Sequence, residues 1–130
     1  MISIIIVNYN TYECTKKCID SIVSSNDKSI IKEIIIIDNN SENNFYQSTN
    51  IKIKNFQLNK NYGYSKALNF GIEHASGKYI LTINPDVIVN IDTIKNVFKY
   101  YINNPKTGVI GCKVLNDNLS FQLSSRRRFP

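Results

Sequence analysis

Apolar positions along this chain follow two alternating patterns. Short runs of β-branched residues at 4–7 and 34–37 end abruptly in polar residues, as expected for strands of a parallel sheet covered on both faces. Between them Cys14, Cys18, Ile19, Ile22 and Val23 recur at helical spacing, with Thr11 as candidate N-cap, Glu13 in the first turn and residues 24–27 as the stop. This predicts a first β-α-β unit. Residues 42–50 are polar and read as a loop or frayed helix, after which Ile51, Ile53 and Phe56 alternate with polar neighbours and predict a more exposed third strand. Residues 65–75 predict a helix with Ala67, Leu68, Gly71, Ile72 and Ala75 on one face, and Ser76-Gly77 stops it. A fourth strand at 79–83 is broken by Asn84-Pro85-Asp86, and an amphipathic helix follows through Ile94, Val97, Phe98, Tyr101 and Ile102 to Asn103-Asn104-Pro105. Residues 109–115 read as a fifth strand, turning at Asn116-Asp117-Asn118 towards a sixth at 120–123.

Strands alternating with helices predict a layered α/β sheet, mostly parallel and Rossmann-like, with helices on its faces. At 130 residues, a single domain is the expected organisation. In such sheets ligands bind at the carboxyl ends of the strands. Asn8-Tyr9-Asn10, Asp38-Asn39-Asn40-Ser41 and Asn84-Pro85-Asp86 all fall on that rim.

Composition narrows the picture only a little. The formal charge of +6 comes from 16 basic and 10 acidic residues, a moderate excess compatible with nucleic acid, phosphorylated sugars or an anionic membrane surface. The one basic run, Arg126-Arg127-Arg128, reads as a solvated tail or as a contact for phosphate or membrane. Three cysteines with no C-x-x-C pair and no secretory leader suit a reducing cytosol rather than a disulfide framework, and no segment approaches the ~20 apolar residues of a membrane span.

Candidate chemistry lies in the rim loops. Tyr9 could lie on a nucleotide base, with Asp38 or Asn39 at its polar edge, although by themselves these residues read better as a strand-end aromatic and a loop-capping carboxylate. Asp86, thrown out behind a proline, is a hard oxygen ligand suited to Mg²⁺ or Mn²⁺ shared with substrate phosphates; taken alone, it also reads as a turn aspartate. Lys60, Gly63 and Lys66 stand before and within a helix start, where phosphate oxygens are favoured. The Gly-x-Gly-x-x-Gly and Gly-x-x-x-x-Gly-Lys-Ser/Thr fingerprints are both missing, which disfavours a dehydrogenase or a P-loop NTPase. His74 is the single histidine, beside Glu73 in a helix, and reads as structural.

Taken in order, Ser3-Ile4-Ile5-Ile6-Val7-Asn8-Tyr9-Asn10, Ile34-Ile35-Ile36-Ile37-Asp38-Asn39-Asn40-Ser41, the stretch from Asn59 to Ile72 and that from Gly77 to Asp86 resemble the inverting family 2 glycosyltransferases. Asn84-Pro85-Asp86, the segment Gly108-Val109-Ile110-Gly111-Cys112-Lys113-Val114-Leu115 and the end Arg126-Arg127-Arg128-Phe129-Pro130 look like their rhamnosyltransferase-like subgroup. The resemblance implies a GT-A fold, a nucleoside-diphosphate sugar donor, a divalent cation (Mg²⁺ or Mn²⁺) and inverting transfer of a hexosyl or deoxyhexosyl group to a carbohydrate or lipid-linked acceptor hydroxyl. That would place the chain in surface polysaccharide synthesis, cytoplasmic or at the inner face of the cytoplasmic membrane, with no role for nucleic acid. Carried over by position, Val7 and Tyr9 lie by the base and Asp38 and Asn39 at its edge. Gly63, Lys66 and Asn69 line the nucleotide or diphosphate region, and Asp86 matches the last acid of the Asp-x-Asp motif and holds the metal.

Two departures qualify this. Asn84 stands where the first acid of that motif is found, and Asn39 where many members carry a second aspartate; an amide can reach the metal or its water but carries no charge. The family's general base lies well downstream of the metal motif, so it is expected beyond Pro130. The chain is therefore expected to be a donor-binding domain shortened before the acceptor-binding part, poorly active alone. A degenerate, non-catalytic sugar-nucleotide-binding module is the alternative. A nucleotidyltransferase is disfavoured, since Asn8-Tyr9-Asn10-Thr11 is not a glycine-rich basic loop.

Overall fold

A computed structural model describes residues 1–25, 28–42 and 46–122. The chain divides into two compact units, Met1–Lys95 and Asn96–Pro130.

The first unit is built on strands β1 (Ile2–Asn8), β2 (Ile31–Asp38), β3 (Ile53–Gln57) and β4 (Tyr79–Ile83), with helices α1 (Tyr12–Ser24) and α2 (Tyr64–Glu73) in the connections. The strands are parallel in the order β3-β2-β1-β4. The first strand is thus central: the chain winds outward through β2 and β3, then crosses back to lay β4 on the other side of β1. Isoleucine dominates β1 and β2 because both faces are covered; Ile4, Ile5, Ile6, Ile34, Ile35, Ile36 and Ile37 are essentially inaccessible to water. Each such side chain contributes about 1.5–3 kcal/mol relative to exposure. β3 is half-buried, as its alternating pattern predicts, and β4 is an edge strand with only Ile83 buried.

α2 packs closely on this sheet. Ala67 joins Ile5, Val7, Ile35 and Ile37 in one apolar cluster, and a Cβ on Gly71 would come within 2.6 Å of Ile5 Cγ2. Glycine there sets the distance between helix and sheet.

At the N-terminal ends of the strands lies a polar cluster that the apolar pattern does not reveal. Glu33, 1% exposed, accepts hydrogen bonds from Ser3 Oγ (2.9 Å), Ser76 N (2.8 Å) and Ser76 Oγ (2.7 Å), and pairs with Lys54 Nζ at 2.7 Å. Ser3 Oγ in turn accepts from Gly77 N at 2.8 Å. Burial alone would raise the Glu33 carboxyl, but hydrogen bonds from Lys54, Ser76 and Ser3 outweigh it and hold the group down at about 2. The cluster ties the start of β4 to β1, β2 and β3.

Helix α3 (Thr93–Asn103) has Ile94 buried and runs from the first unit into the second. The expected fifth and sixth strands do not form among the described residues; they are reduced to one antiparallel bridge between Leu115 and Phe121. The expected turn between them is present, with Leu119 N bonded to Asn116 O (2.8 Å) and Asn116 N to Ser120 O (2.9 Å). Val109 is 90% exposed; Gln122 N reaches Val114 O (3.1 Å), but no described strand lies against 109–113 to hydrogen-bond it into a sheet. Residues 123 and 126–128, including the arginine run, lie outside the described residues.

Candidate functional site

The C-terminal ends of β2, β1 and β4 form a rim whose geometry follows from strand register. Asn8 and Asp38 are cross-strand partners, so the last residues of two apolar runs meet as a polar pair. Asn8 is fully buried and works as the hub. Its Nδ2 donates to Asp38 Oδ1 (2.7 Å) and Ser41 Oγ (3.3 Å). Its Oδ1 accepts from Thr11 Oγ1 (2.7 Å), Thr11 N (3.3 Å) and Thr15 Oγ1 (3.0 Å). Thr11 occupies the N-cap position of α1, yet its hydroxyl turns back to Asn8 instead of capping a helix N–H. Asp38 Oδ2 accepts from Ser41 N at 2.8 Å, and Ser41 Oγ accepts from Asn10 N at 2.8 Å. The loops after β1 and β2 are thereby held together, and Asn10 and Asn40 take the positive-φ positions (54° and 74°) that both turns require.

A second set of bonds reaches α2. Asn39 Nδ2 donates to Asn61 Oδ1 (2.7 Å) and Asn39 Oδ1 accepts from Tyr62 N (2.9 Å), while Asn61 Oδ1 also accepts from Gly63 N (2.8 Å). Gly63 precedes α2 with φ 82° and ψ 163°, a region open essentially to glycine alone. No side chain caps α2, so its first-turn N–H groups stand at the rim next to the exposed Lys66.

The third loop follows β4. Asn84 and Asp86 are both exposed, and among the described residues Asp86 makes no hydrogen bond. The carbonyl of Asn84 accepts from Val87 N (3.3 Å) and lies 3.8 Å from Cys18 Sγ, while Val89 N donates to Ser21 Oγ at 3.0 Å. Burial, and secondarily the Asp86 carboxylate, push the Cys18 thiol up to about 12, so it stays protonated at neutral pH. Because β1 separates β2 from β4, the Asp38 and Asp86 loops stand about two strand spacings, or ~10 Å, apart.

Each expected site residue now has a place. Tyr9, Gly63, Lys66, Asn84 and Asp86 are all exposed. Val7 is 7% exposed and belongs to the apolar cluster beneath, so it can supply a floor and little more. Asp38 and Asn39 are 3% exposed and engaged with the neighbouring loops, so much of what they do is to shape the rim. Asn69 is exposed on the face of α2 opposite the buried Ala67 and Gly71. Asn8, Ser41 and Asn61 lie within the rim and family motifs without a role of their own, and Cys18 and Ser21 carried no signal in the sequence beyond their helical spacing. The one available signal was Asn8 ending an otherwise apolar strand.

His74 is structural, as its setting predicts: it stacks on Phe70 at 4.2 Å, and its Nδ1 lies 2.8 Å from the Phe70 carbonyl oxygen. Cys14 and Cys112 are exposed and Cys18 buried, and all three are free. No described helix is long and apolar enough to cross a membrane.

The fold recurs in solved glycosyltransferase structures. S. aureus TarS (residues 1-349, in complex with UDP-GlcNAc) superimposes with a TM-score of 0.70 at 21% identity, covering 88% of this chain and 37% of that one. A mannosyltransferase from Pyrobaculum calidifontis, in complex with GDP-Man and Mn²⁺, gives 0.71 at 18% identity, covering 88% of this chain and 35% of that one. The architecture is the expected GT-A fold. In sequence, the chain is 30% identical over 116 residues to the poly-beta-1,6-N-acetyl-D-glucosamine synthase of Staphylococcus epidermidis, covering 84% of this chain and 27% of that protein. It is 29% identical over 119 residues to the glycosyltransferase GlyG of Streptococcus pneumoniae, covering 85% of this chain and 38% of that protein. It thus spans about a quarter to two fifths of the length of these relatives. The pattern described as Glycosyl transferase family 2 matches residues 3–129, and the chain belongs to that family.

Proposed function

We propose that the rim formed by β1, β2, β4 and the start of α2 binds a nucleoside-diphosphate sugar, and that the protein to which this domain belongs transfers the sugar with inversion to an acceptor hydroxyl. The observation that carries the reading is the Asn84-Pro85-Asp86 loop. It presents a free carboxylate beside the central strand β1, where the strand order reverses, and this is the crevice in which open α/β sheets bind ligands. Tyr9 offers its ring to the base over the apolar floor that includes Val7. Asp38 and Asn39 fix the loops around the base edge. The first turn of α2, with Gly63 and Lys66, faces the diphosphate, and Asn69 lies one turn further along; Gly63 lets the backbone approach because nothing lies within 4 Å of the side it leaves open.

The donor set fits a divalent cation of the Mg²⁺ or Mn²⁺ kind. Among the described residues no group of three or more His, Cys, Asp or Glu could cage a metal. A lone exposed carboxylate with a neighbouring amide suits an ion that completes its shell from phosphates and water. Asp86 would hold it, with Asn84 reaching the ion or its water; when bound, the ion would neutralise charge on the departing nucleoside diphosphate. The acceptor hydroxyl would attack the anomeric carbon as the bond to the diphosphate oxygen breaks on the opposite face, giving inversion. A general base would take the hydroxyl proton, and no described residue is assigned that role.

The poly-beta-1,6-N-acetyl-D-glucosamine synthase relative and the neighbours bound to UDP-GlcNAc and GDP-Man support a hexosyl donor and a place in polysaccharide synthesis. Asn84-Pro85-Asp86 and the 108–115 segment support the rhamnosyltransferase-like assignment. Titration calorimetry with UDP, dTDP and GDP, each with and without Mn²⁺, tests the donor site. Metal-dependent affinity for at least one nucleotide is expected, lost in Asp86→Ala; affinity indifferent to both the metal and the substitution would overturn the assignment.

A further inference from the structure

Among the described residues Asp86 makes no hydrogen bond that would fix its own loop, so the loop is held from elsewhere. The geometry points to a two-point clamp from α1: Cys18 holds the Asn84 carbonyl and Ser21 holds the Val89 amide, making both positioning residues for the Asp86 loop.

Cys18 and Ser21 are three residues apart and so lie on the same face of the helix. That face meets the loop at both ends. At the entry, Cys18 Sγ is 3.8 Å from the Asn84 carbonyl oxygen. At the exit, Ser21 Oγ accepts from Val89 N at 3.0 Å. The direction of the Ser21 bond is settled by its other contact: its hydroxyl donates to the Cys18 carbonyl at 2.6 Å, which leaves the oxygen lone pairs for the Val89 amide. Cys18 is fully buried, and its S–H, directed at the Asn84 carbonyl, is a weak donor. Inside the clamp the Val87 N to Asn84 O turn (3.3 Å) closes the loop on itself. The six residues 84–89 are thus fixed at their first carbonyl and their last amide, with Asp86 near the middle and free to face a ligand. Val89 is itself buried, which anchors the exit.

A ligand built from one carboxylate depends on where its loop stands before binding, because the cost of ordering it is subtracted from affinity. The clamp lowers that cost. Its loss should therefore act on the metal-dependent part of nucleotide binding and leave the metal-independent part alone. The proposal rests on the donor-site reading, and the experiment separates the two.

The 130-residue chain, as wild type, Asp86→Ala, Ser21→Ala, Ser21→Thr and Cys18→Ala, is titrated with UDP and GDP, with and without Mn²⁺, and amide hydrogen exchange is followed at Val87 and Val89. Ser21→Ala is expected to weaken binding in Mn²⁺ by about three- to tenfold, the range of one hydrogen bond, while binding without Mn²⁺ is unchanged. Exchange at Val89 should speed up by a similar factor. Ser21→Thr should restore both, and Cys18→Ala should give a smaller loss of about twofold, since a thiol is the weaker donor. If Ser21→Ala lowers the melting temperature yet leaves the ratio of affinities with and without Mn²⁺ at the wild-type value, the residue is merely structural and the clamp is refuted. If the wild type itself shows no Mn²⁺ dependence, or Asp86→Ala matches it, the donor-site reading fails and the clamp loses its object. That pattern differs from a clamp failure, in which Asp86→Ala alone changes the ratio. Should Ser21→Ala fail to fold, Cys18→Ala and the Val89 exchange rate in Ser21→Thr decide the matter by the same criteria.

Discussion

At the N-terminal ends of the strands Glu33 sits inside, paired with Lys54 and bonded to Ser3 and Ser76. At the C-terminal ends Asp86 stands outside on a loop, with no hydrogen bond among the described residues. Both are single carboxylates at the margin of the same sheet, and they teach opposite lessons. A buried carboxylate must have its lone pairs filled by the protein, so its energy is committed to the fold. An exposed one on a fixed loop keeps its lone pairs for a ligand. The intermediate case is the Asn8–Asp38–Ser41 cluster, which is buried like the first and placed like the second; it shapes the rim without being its reactive end.

The comparison breaks if the N-terminal cluster governs binding or the Asp86 loop governs stability. The largest expected effect is on Glu33→Ala, which strips the acceptor from Ser3, Ser76 and Lys54 and should cost about 3 kcal/mol in urea unfolding. Nucleotide affinity of the folded protein should stay at the wild-type level; a parallel fall in affinity would show that the two ends are coupled.

The same cluster predicts an acid transition. The Glu33 carboxyl is depressed from 4.5 to about 2, so the unfolded chain takes up the proton first as pH falls. Its stabilisation is complete above 4.5 and is lost between 4.5 and about 2. The wild type should lose on the order of 3 kcal/mol across that window, and Glu33→Gln should show that much less dependence on pH there. Equal slopes for the two proteins would mean that Glu33 titrates normally.

At the other end, Asp86→Ala should leave unfolding free energy within about 0.5 kcal/mol of wild type. It should weaken Mn²⁺-dependent nucleotide binding by at least tenfold, or roughly 1.4 kcal/mol; a destabilised but normally binding variant would reverse the assignment of the two ends. Lys66→Ala is the mildest. As an exposed cation it should weaken nucleotide binding by about two- to fivefold at low ionic strength, and the difference should shrink in salt. A salt-independent loss would point to packing instead of charge.

Much of the first unit was legible because its signals are local. Runs of isoleucine, the helical spacing of Cys18, Ile19 and Ile22, and the break at Asn84-Pro85-Asp86 place β1, β2, β4, α1 and α2 to within a few residues. The strands expected at 109–115 and 120–123 carry a comparable pattern and form only the Leu115–Phe121 bridge among the described residues. The neighbour that the pattern offers lies just across the turn, and an isolated two-stranded hairpin is marginal in water without a third strand or a helix to pack on. The candidate site divides in the same way. Tyr9, Gly63, Lys66 and Asp86 are exposed residues in loops or at a helix start, marked by residue type and position. The supporting bonds from Asn8, Asn61, Cys18 and Ser21 depend on partners as many as 68 residues apart, and they became visible only when the strands were in register.

The sequence by itself therefore determined the class of fold, the family and the rim on which the polar loops lie, because apolar periodicity and loop motifs are written in neighbouring residues. Tertiary structure decided which carboxylate is sealed and which is exposed, that Val7 joins the apolar cluster, that Asp38 and Asn39 bond the neighbouring loops, and that α1 contacts the loop of Asp86 at Asn84 and Val89. Those outcomes are set by burial and by hydrogen bonds between distant segments, and a side chain's environment exists only once the sheet has brought those segments together.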